Sequence, residues 1–97
     1  MSNAVEVDYI KQNSLPELKK AGVLRSSLFG SFARGDAGPE SDVDILVELP
    51  DDKNMFDLIE LEERLAAALG KKVDVVTYRS LHHLLRERIL REQIPIL

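Results

Sequence analysis

Gly30-Ser31-Phe32-Ala33-Arg34-Gly35 is followed a few residues later by Ser41-Asp42-Val43-Asp44. A glycine-serine turn leaves backbone N–H groups pointing at one spot, which favours an anion. Gly30 lets the backbone approach a phosphate closely, because no Cβ stands in the way. The Ser31 hydroxyl adds a hydrogen bond, and Gly35 lets the chain leave the turn at positive φ. Arg34 has two uses open to it. Its guanidinium suits bidentate phosphate contacts, or it pairs with Asp36 or Glu40, as surface ions often do at little gain. Asp42 and Asp44 are two residues apart, so on a strand they share a face at about 6–7 Å. Two such carboxylates repel unless a cation lies between them. Magnesium suits the position: it takes hard oxygen ligands, keeps several waters and binds through one or two carboxylates plus substrate phosphates. The same ligands accept manganese. Turn and carboxylates together describe a site for a nucleoside triphosphate carrying magnesium.

A third acid fits the same picture. Lys72-Val73-Asp74-Val75-Val76-Thr77 is apolar and β-branched, and reads as a buried strand. A lone carboxylate on a central strand is costly, and the cost is explained if Asp74 faces the same metals as Asp42 and Asp44; the other reading is a surface-facing residue on a half-exposed strand. Three carboxylates hold two magnesium ions, one activating a nucleophile and one gripping the triphosphate. Asp42, Asp44 and Asp74 are therefore the candidate catalytic and metal-binding residues. Gly30, Ser31, Arg34, Gly35 and Ser41 are the candidate nucleotide-binding residues, with Ser41 either shaping the metal site or capping its loop.

The elements that position these residues can be read along the chain. Val5 to Lys20 has an apolar stripe of Val7, Ile10, Leu15 and Leu18 at roughly helical spacing, and Pro16 predicts a break near Ser14-Leu15, with Ser14 capping a second short helix. Gly22 suits the helix end. Val23 to Phe29 reads as a strand ending at Gly30, and Phe32-Ala33-Arg34 as a single helical turn. Ala37 to Glu40 is a loop, Asp42 to Leu49 the next strand, and Leu49 to Lys53 a polar turn. Asn54 is the expected N-cap of a helix over Met55 to Leu69, ended by Gly70. Ser80 is the expected cap of a last helix over Leu81 to Gln93, and Ile94 to Leu97 forms a short terminal strand or lies extended. The order is helix, strand, strand, helix, strand, helix.

Composition narrows the class. Ninety-seven residues make one domain, 1–97, and 44% hydrophobic with 31% charged residues is ordinary for a globular chain. There are no cysteines, which excludes disulfides and thiolate metal sites. No apolar run is long enough to span a membrane and no signal-peptide pattern opens the chain, so the expected location is cytoplasmic. Ser2-Asn3-Ala4 resembles a cloning remnant. The net charge of −4 argues against direct nucleic-acid binding. Arg86, Arg88 and Arg91 are interleaved with Glu87 and Glu92, the pattern of a solvated helix face. His82 and His83 would diverge by about 100° on a helix and could not share a metal. Tyr9 and Tyr78 read as packing residues, with nucleobase stacking as a second use for Tyr78.

Gly30-Ser31, Arg34-Gly35 and Ser41-Asp42-Val43-Asp44, with Asp74 downstream, resemble the signature of the DNA polymerase beta-like nucleotidyltransferase superfamily. Within it, the short length and the Gly-Ser-Phe-Ala-Arg-Gly wording resemble the minimal nucleotidyltransferases (MNT), many of which are antitoxins of HEPN/MNT toxin-antitoxin pairs. The resemblance implies an α/β (α+β) fold with a small mixed β-sheet flanked by helices. It also implies transfer of AMP from ATP to a tyrosine hydroxyl of a HEPN-type toxin. Larger members of the superfamily carry a further domain that grips the acceptor. Here the pattern uses nearly the whole chain, so the acceptor is expected on a separate molecule, within a hetero- or homo-oligomer. The leucine-rich helices Met55 to Leu69 and Leu81 to Gln93 are then the candidate docking surfaces. Two alternatives stand beside this one: a non-catalytic antitoxin that neutralises its partner by occlusion, and a transferase acting on a small hydroxylated molecule.

Overall fold

The computed structural model describes residues 3–97, with side chains from residue 5; the reading of Ser2-Asn3-Ala4 lies outside the described side chains. Nine elements follow one another: α1 (Asn3–Lys20), β1 (Arg25–Phe29), α2 (Gly30–Arg34), β2 (Val43–Glu48), α3 (Met55–Leu69), β3 (Val73–Thr77), a 3-10 turn (Tyr78–Ser80), α4 (His83–Glu92) and β4 (Ile94–Pro95). The strands form one mixed sheet in the order β3-β2-β1-β4. β1 is antiparallel to β2 and β4, and β2 is parallel to β3. The end of β1 therefore lies beside the beginnings of β2 and β3. That edge of the sheet carries Gly30, Asp44 and Asp74.

Strand alternation divides the residues between two faces. Val43, Ile45 and Val47 of β2 join Leu28, Val73 and Val75 in the main core, packed against α1 and α3 through Ile10, Leu18, Leu61 and Leu65. The opposite face carries a smaller cluster of Leu46, Tyr78 and Ile89, beneath α4. The aspartates lie on this second, thinly covered face, at its edge.

α3 matches the expected span. Asn54 accepts from the N–H groups of Phe56 and Asp57 while the Asp57 side chain accepts from the Asn54 N–H, a full capping box. Two expectations need correction. α1 is one helix through Pro16, with no break and no Ser14 cap. Ile10, Ser14 and Leu18, spaced by four, are all essentially buried, and packing of that continuous face holds the helix across a proline that would otherwise disfavour it. α4 begins at His83 rather than Leu81 because His82, not Ser80, is its cap: His82 Nδ1 accepts from the Leu84 N–H at 3.2 Å. Ser80 instead closes the 3-10 turn with Thr77. Because His82 precedes the helix, its ring does not diverge from that of His83; the two stack at 4.7 Å.

The last residues form a strand. Ile94 pairs with Leu28 and Pro95 with Ser27, and Leu97 exchanges hydrogen bonds with the Ser26 backbone. This covers one edge of the sheet, and proline blunts it further. Among the described residues no helix is long and apolar enough to cross a membrane.

Candidate active site

Gly30 begins α2 immediately after β1, at φ +75°. A side chain is excluded there twice over: by the positive φ and by the Asp44 carboxylate, which a Cβ at position 30 would overlap. Glycine thus lets the turn lie directly on Asp44. At the far end of α2, Gly35 adopts φ +86° and its N–H donates to the Ser31 carbonyl at 2.9 Å. Phe32 anchors the turn from below, buried in the main core.

Sheet register gathers the acids. Phe29, Asp44 and Asp74 are partners across β1, β2 and β3, so Asp44 and Asp74 stand side by side on adjacent strands, about 5 Å apart in the pairing direction. Asp42 precedes β2 rather than lying in it and still acts on Asp44. Burial raises the Asp44 pKa most, followed by the negative charges of Asp74 and Asp42, to about 6, while Arg34 opposes the rise. Of the three expected acids, the register brings Asp44 and Asp74 side by side while Asp42 bears on Asp44 from the loop before β2, and the premise about Asp74 does not hold. β3 is an edge strand and Asp74 is exposed, so no burial cost requires a metal to explain it. Among the described residues no three acidic or histidine side chains converge into a ready-made metal cage. An all-carboxylate donor set that repels itself fits a hard cation completing its shell with water and phosphate oxygens.

Arg34 takes the ion pair with Asp36 (Nε to Oδ2, 3.2 Å) and a second pair that sequence reasoning missed, Nη1 to Glu92 Oε1 at 3.3 Å. The same Glu92 oxygen accepts from the Gly30 N–H at 3.3 Å. The register of β4 accounts for it, and no signal in the sequence gives that register. Once Ile94 pairs antiparallel with Leu28, two residues back along one strand and two forward along the other bring Glu92 opposite Gly30. Ser41 closes its loop, its hydroxyl accepting from the Gly38 N–H at 2.8 Å and its own N–H donating to the Gly38 carbonyl. Lys72 stands 3.9 Å from Asp42. Tyr78 is a packing residue remote from the acids. It donates to Ser27 Oγ at 3.1 Å and lies under the Arg25 guanidinium. It lines a cleft of about 1010 Å³ at the other end of the sheet, together with Leu24, Met55 and Arg86 but without Asp42, Asp44 or Asp74.

A glycine turn seated on a carboxylate, beside a second carboxylate in register, is the arrangement expected of nucleotidyl transfer, and the nucleotidyltransferase domain family matches residues 5–96. The chain belongs to that family. This nucleotidyltransferase is 46% identical over 93 residues to a candidate protein adenylyltransferase of Methanocaldococcus jannaschii, covering 96% of this chain and 100% of that one. It is 40% identical over 92 residues to the protein adenylyltransferase MntA of Thermococcus cleftensis, covering 94% and 93%. A crystal structure of a toxin-antitoxin with AMP-PNP superimposes with a TM-score of 0.78 at 27% identity, covering 90% of this chain and 72% of that one.

Proposed function

We propose that this nucleotidyltransferase transfers AMP from ATP to a hydroxyl, that of a tyrosine, on a HEPN-type toxin, and acts as its antitoxin in the cytoplasm. The observation that carries the reading is the row Asp44–Asp74 with Gly30 seated against Asp44. Relatives named as protein adenylyltransferases and a toxin-antitoxin relative crystallised with AMP-PNP support the substrate and the partner.

In this mechanism Asp42, Asp44 and Asp74 would hold two magnesium ions, which would neutralise the triphosphate and acidify the attacking hydroxyl. The Gly30-Ser31 turn and Arg34 receive phosphate oxygens and orient the α-phosphorus toward the aspartates. Phe32, locked in the core, keeps the turn from shifting. The acceptor oxygen bonds to the α-phosphorus, the bond from that phosphorus to the bridging oxygen of pyrophosphate breaks, and pyrophosphate leaves. Asp74, on the exposed edge strand, faces the side from which a separate acceptor arrives and takes its proton. Exposed apolar residues at the start of α3 (Met55, Phe56, Ile59) and of α4 (Leu84, Leu85) offer surfaces for the toxin.

The test is label transfer. Protein, magnesium and ATP labelled on the α-phosphate are mixed with the product of the adjacent gene, the expected HEPN-type toxin. Label on the toxin is expected, and its absence with Asp44→Asn. A stable complex that never acquires label would overturn the catalytic reading.

A further inference from the structure

We infer that Glu92 is a positioning residue for nucleotide binding, acting through Arg34. The inference rests on the reading of Arg34 and the Gly30-Ser31 turn as the phosphate site and adds the residue that ties one to the other. One carboxylate oxygen of Glu92 accepts from both the Gly30 N–H and Arg34 Nη1, each at 3.3 Å. Asp36 engages Nε at 3.2 Å. Two of the three guanidinium nitrogens are thus directed by carboxylates, and Nη2 is left to meet an anion.

The two carboxylates are not equivalent. The Asp36 side chain is 60% exposed and that of Glu92 only 14%, so the pair with Glu92 is the less screened and the better defined. The backbone around Glu92 is also tied on both sides. Ile89 is buried one turn earlier, the Gln93 N–H donates to the Ile89 carbonyl at 3.0 Å, and Ile94 is paired with Leu28. Glu92 therefore comes from a fixed point, whereas Arg34 is a long, partly exposed chain on a five-residue helix. Without Glu92 the guanidinium has the freedom of a surface arginine and must lose it when the triphosphate arrives.

The experiment is calorimetric binding of AMP-PNP with magnesium, with ATP kinetics of toxin labelling as a second readout. Glu92→Ala is expected to weaken AMP-PNP binding by roughly tenfold, as for a lost charge-assisted hydrogen bond, and to raise KM for ATP more than it lowers kcat. Glu92→Gln, which keeps an acceptor for both donors, is expected to restore most of the affinity. Glu92→Ala combined with Arg34→Ala is expected to bind no more weakly than Arg34→Ala alone, because one residue acts through the other. Thermal unfolding of each variant checks folding. If Glu92→Ala does not fold, Glu92→Asp replaces it, with a carboxylate too short to reach both donors and the same expected loss. Unchanged binding, or losses that add in the double variant, would overturn the inference. So would tighter binding, which would make Glu92 a competitor for the phosphate donors. If Arg34→Ala itself binds as the parent does, the reading of Arg34 fails and the inference with it; if only the Glu92 variants are silent, the inference fails alone.

Discussion

Asp44 concentrates the electrostatics of the site. Its carboxyl is raised from 3.8 to about 6, chiefly by burial and then by Asp74 and Asp42. The folded chain therefore holds that proton more tightly than the unfolded chain. Ionised Asp44 works against stability above about pH 6, and the penalty is relieved as pH falls toward the ordinary carboxylate range. Asp44→Asn is expected to raise the thermal midpoint by a few degrees at pH 7.5 in chelator, with the gain shrinking at pH 5, while abolishing transfer. An unchanged midpoint at pH 7.5 would mean that the acids do not strain one another. Protons compete with a cation for the same oxygens, and the cation favours the ionised carboxylate, so magnesium-supported transfer should fall only as pH drops below about 6. Gly30 answers to a different constraint. Gly30→Ala places a Cβ against the Asp44 carboxylate at a backbone φ that alanine resists, and loss of AMP-PNP binding is the expected outcome by calorimetry. An alanine variant that binds normally would show that the turn can open without cost.

At the scale of elements, what was legible followed from local chemistry, and what was missed depended on partners distant in sequence. α3 could be read to its ends because Asn54, Asp57 and Gly70 encode both caps within the segment itself. The row of aspartates was foreseeable because period-two alternation on two strands is enough to suggest that they share a face. Whether β3 is a central or a half-exposed strand could not be decided, since an apolar, β-branched run reads alike in the centre of a sheet and at an edge covered by a helix. Here α3 supplies the cover, with Glu62 accepting from the Val75 N–H at 3.1 Å. The role of Glu92 was hidden for the same reason: its neighbours in sequence are surface arginines, and only the pairing of β4 takes it to Gly30. α1 shows packing overriding a local signal, and it leaves a residue of that conflict. The hydroxyl of Ser14 is buried with no hydrogen-bond partner among the described residues. Ser14→Ala is expected to stabilise the chain by about 1 kcal/mol in urea denaturation, the order of magnitude for relieving an unmatched buried polar group. Destabilisation would mean that the hydroxyl does find a partner.

Considered as a whole molecule, the sheet is covered unequally. Two long helices bury one face, whereas the face that carries the acids has only α4 and the small Leu46-Tyr78-Ile89 cluster. That imbalance leaves the approach to Asp74 open, as a transferase with an acceptor on another macromolecule requires. α4 spans the two roles proposed for this face. Its last residue, Glu92, touches the Gly30 turn, while near its beginning Leu84 and Leu85 are 75% and 45% exposed. An exposed apolar pair followed by Arg86-Glu87-Arg88 is an anchor for a partner only if removing it disturbs docking and nothing else. Leu84→Glu with Leu85→Glu should therefore abolish co-elution with the toxin in size-exclusion chromatography, and with it toxin labelling, while AMP-PNP affinity stays at the parent value. Retained co-elution would move the docking surface to the start of α3. A simultaneous fall in AMP-PNP affinity would instead mean that the two ends of α4 are coupled, so that docking and nucleotide binding are read by one helix.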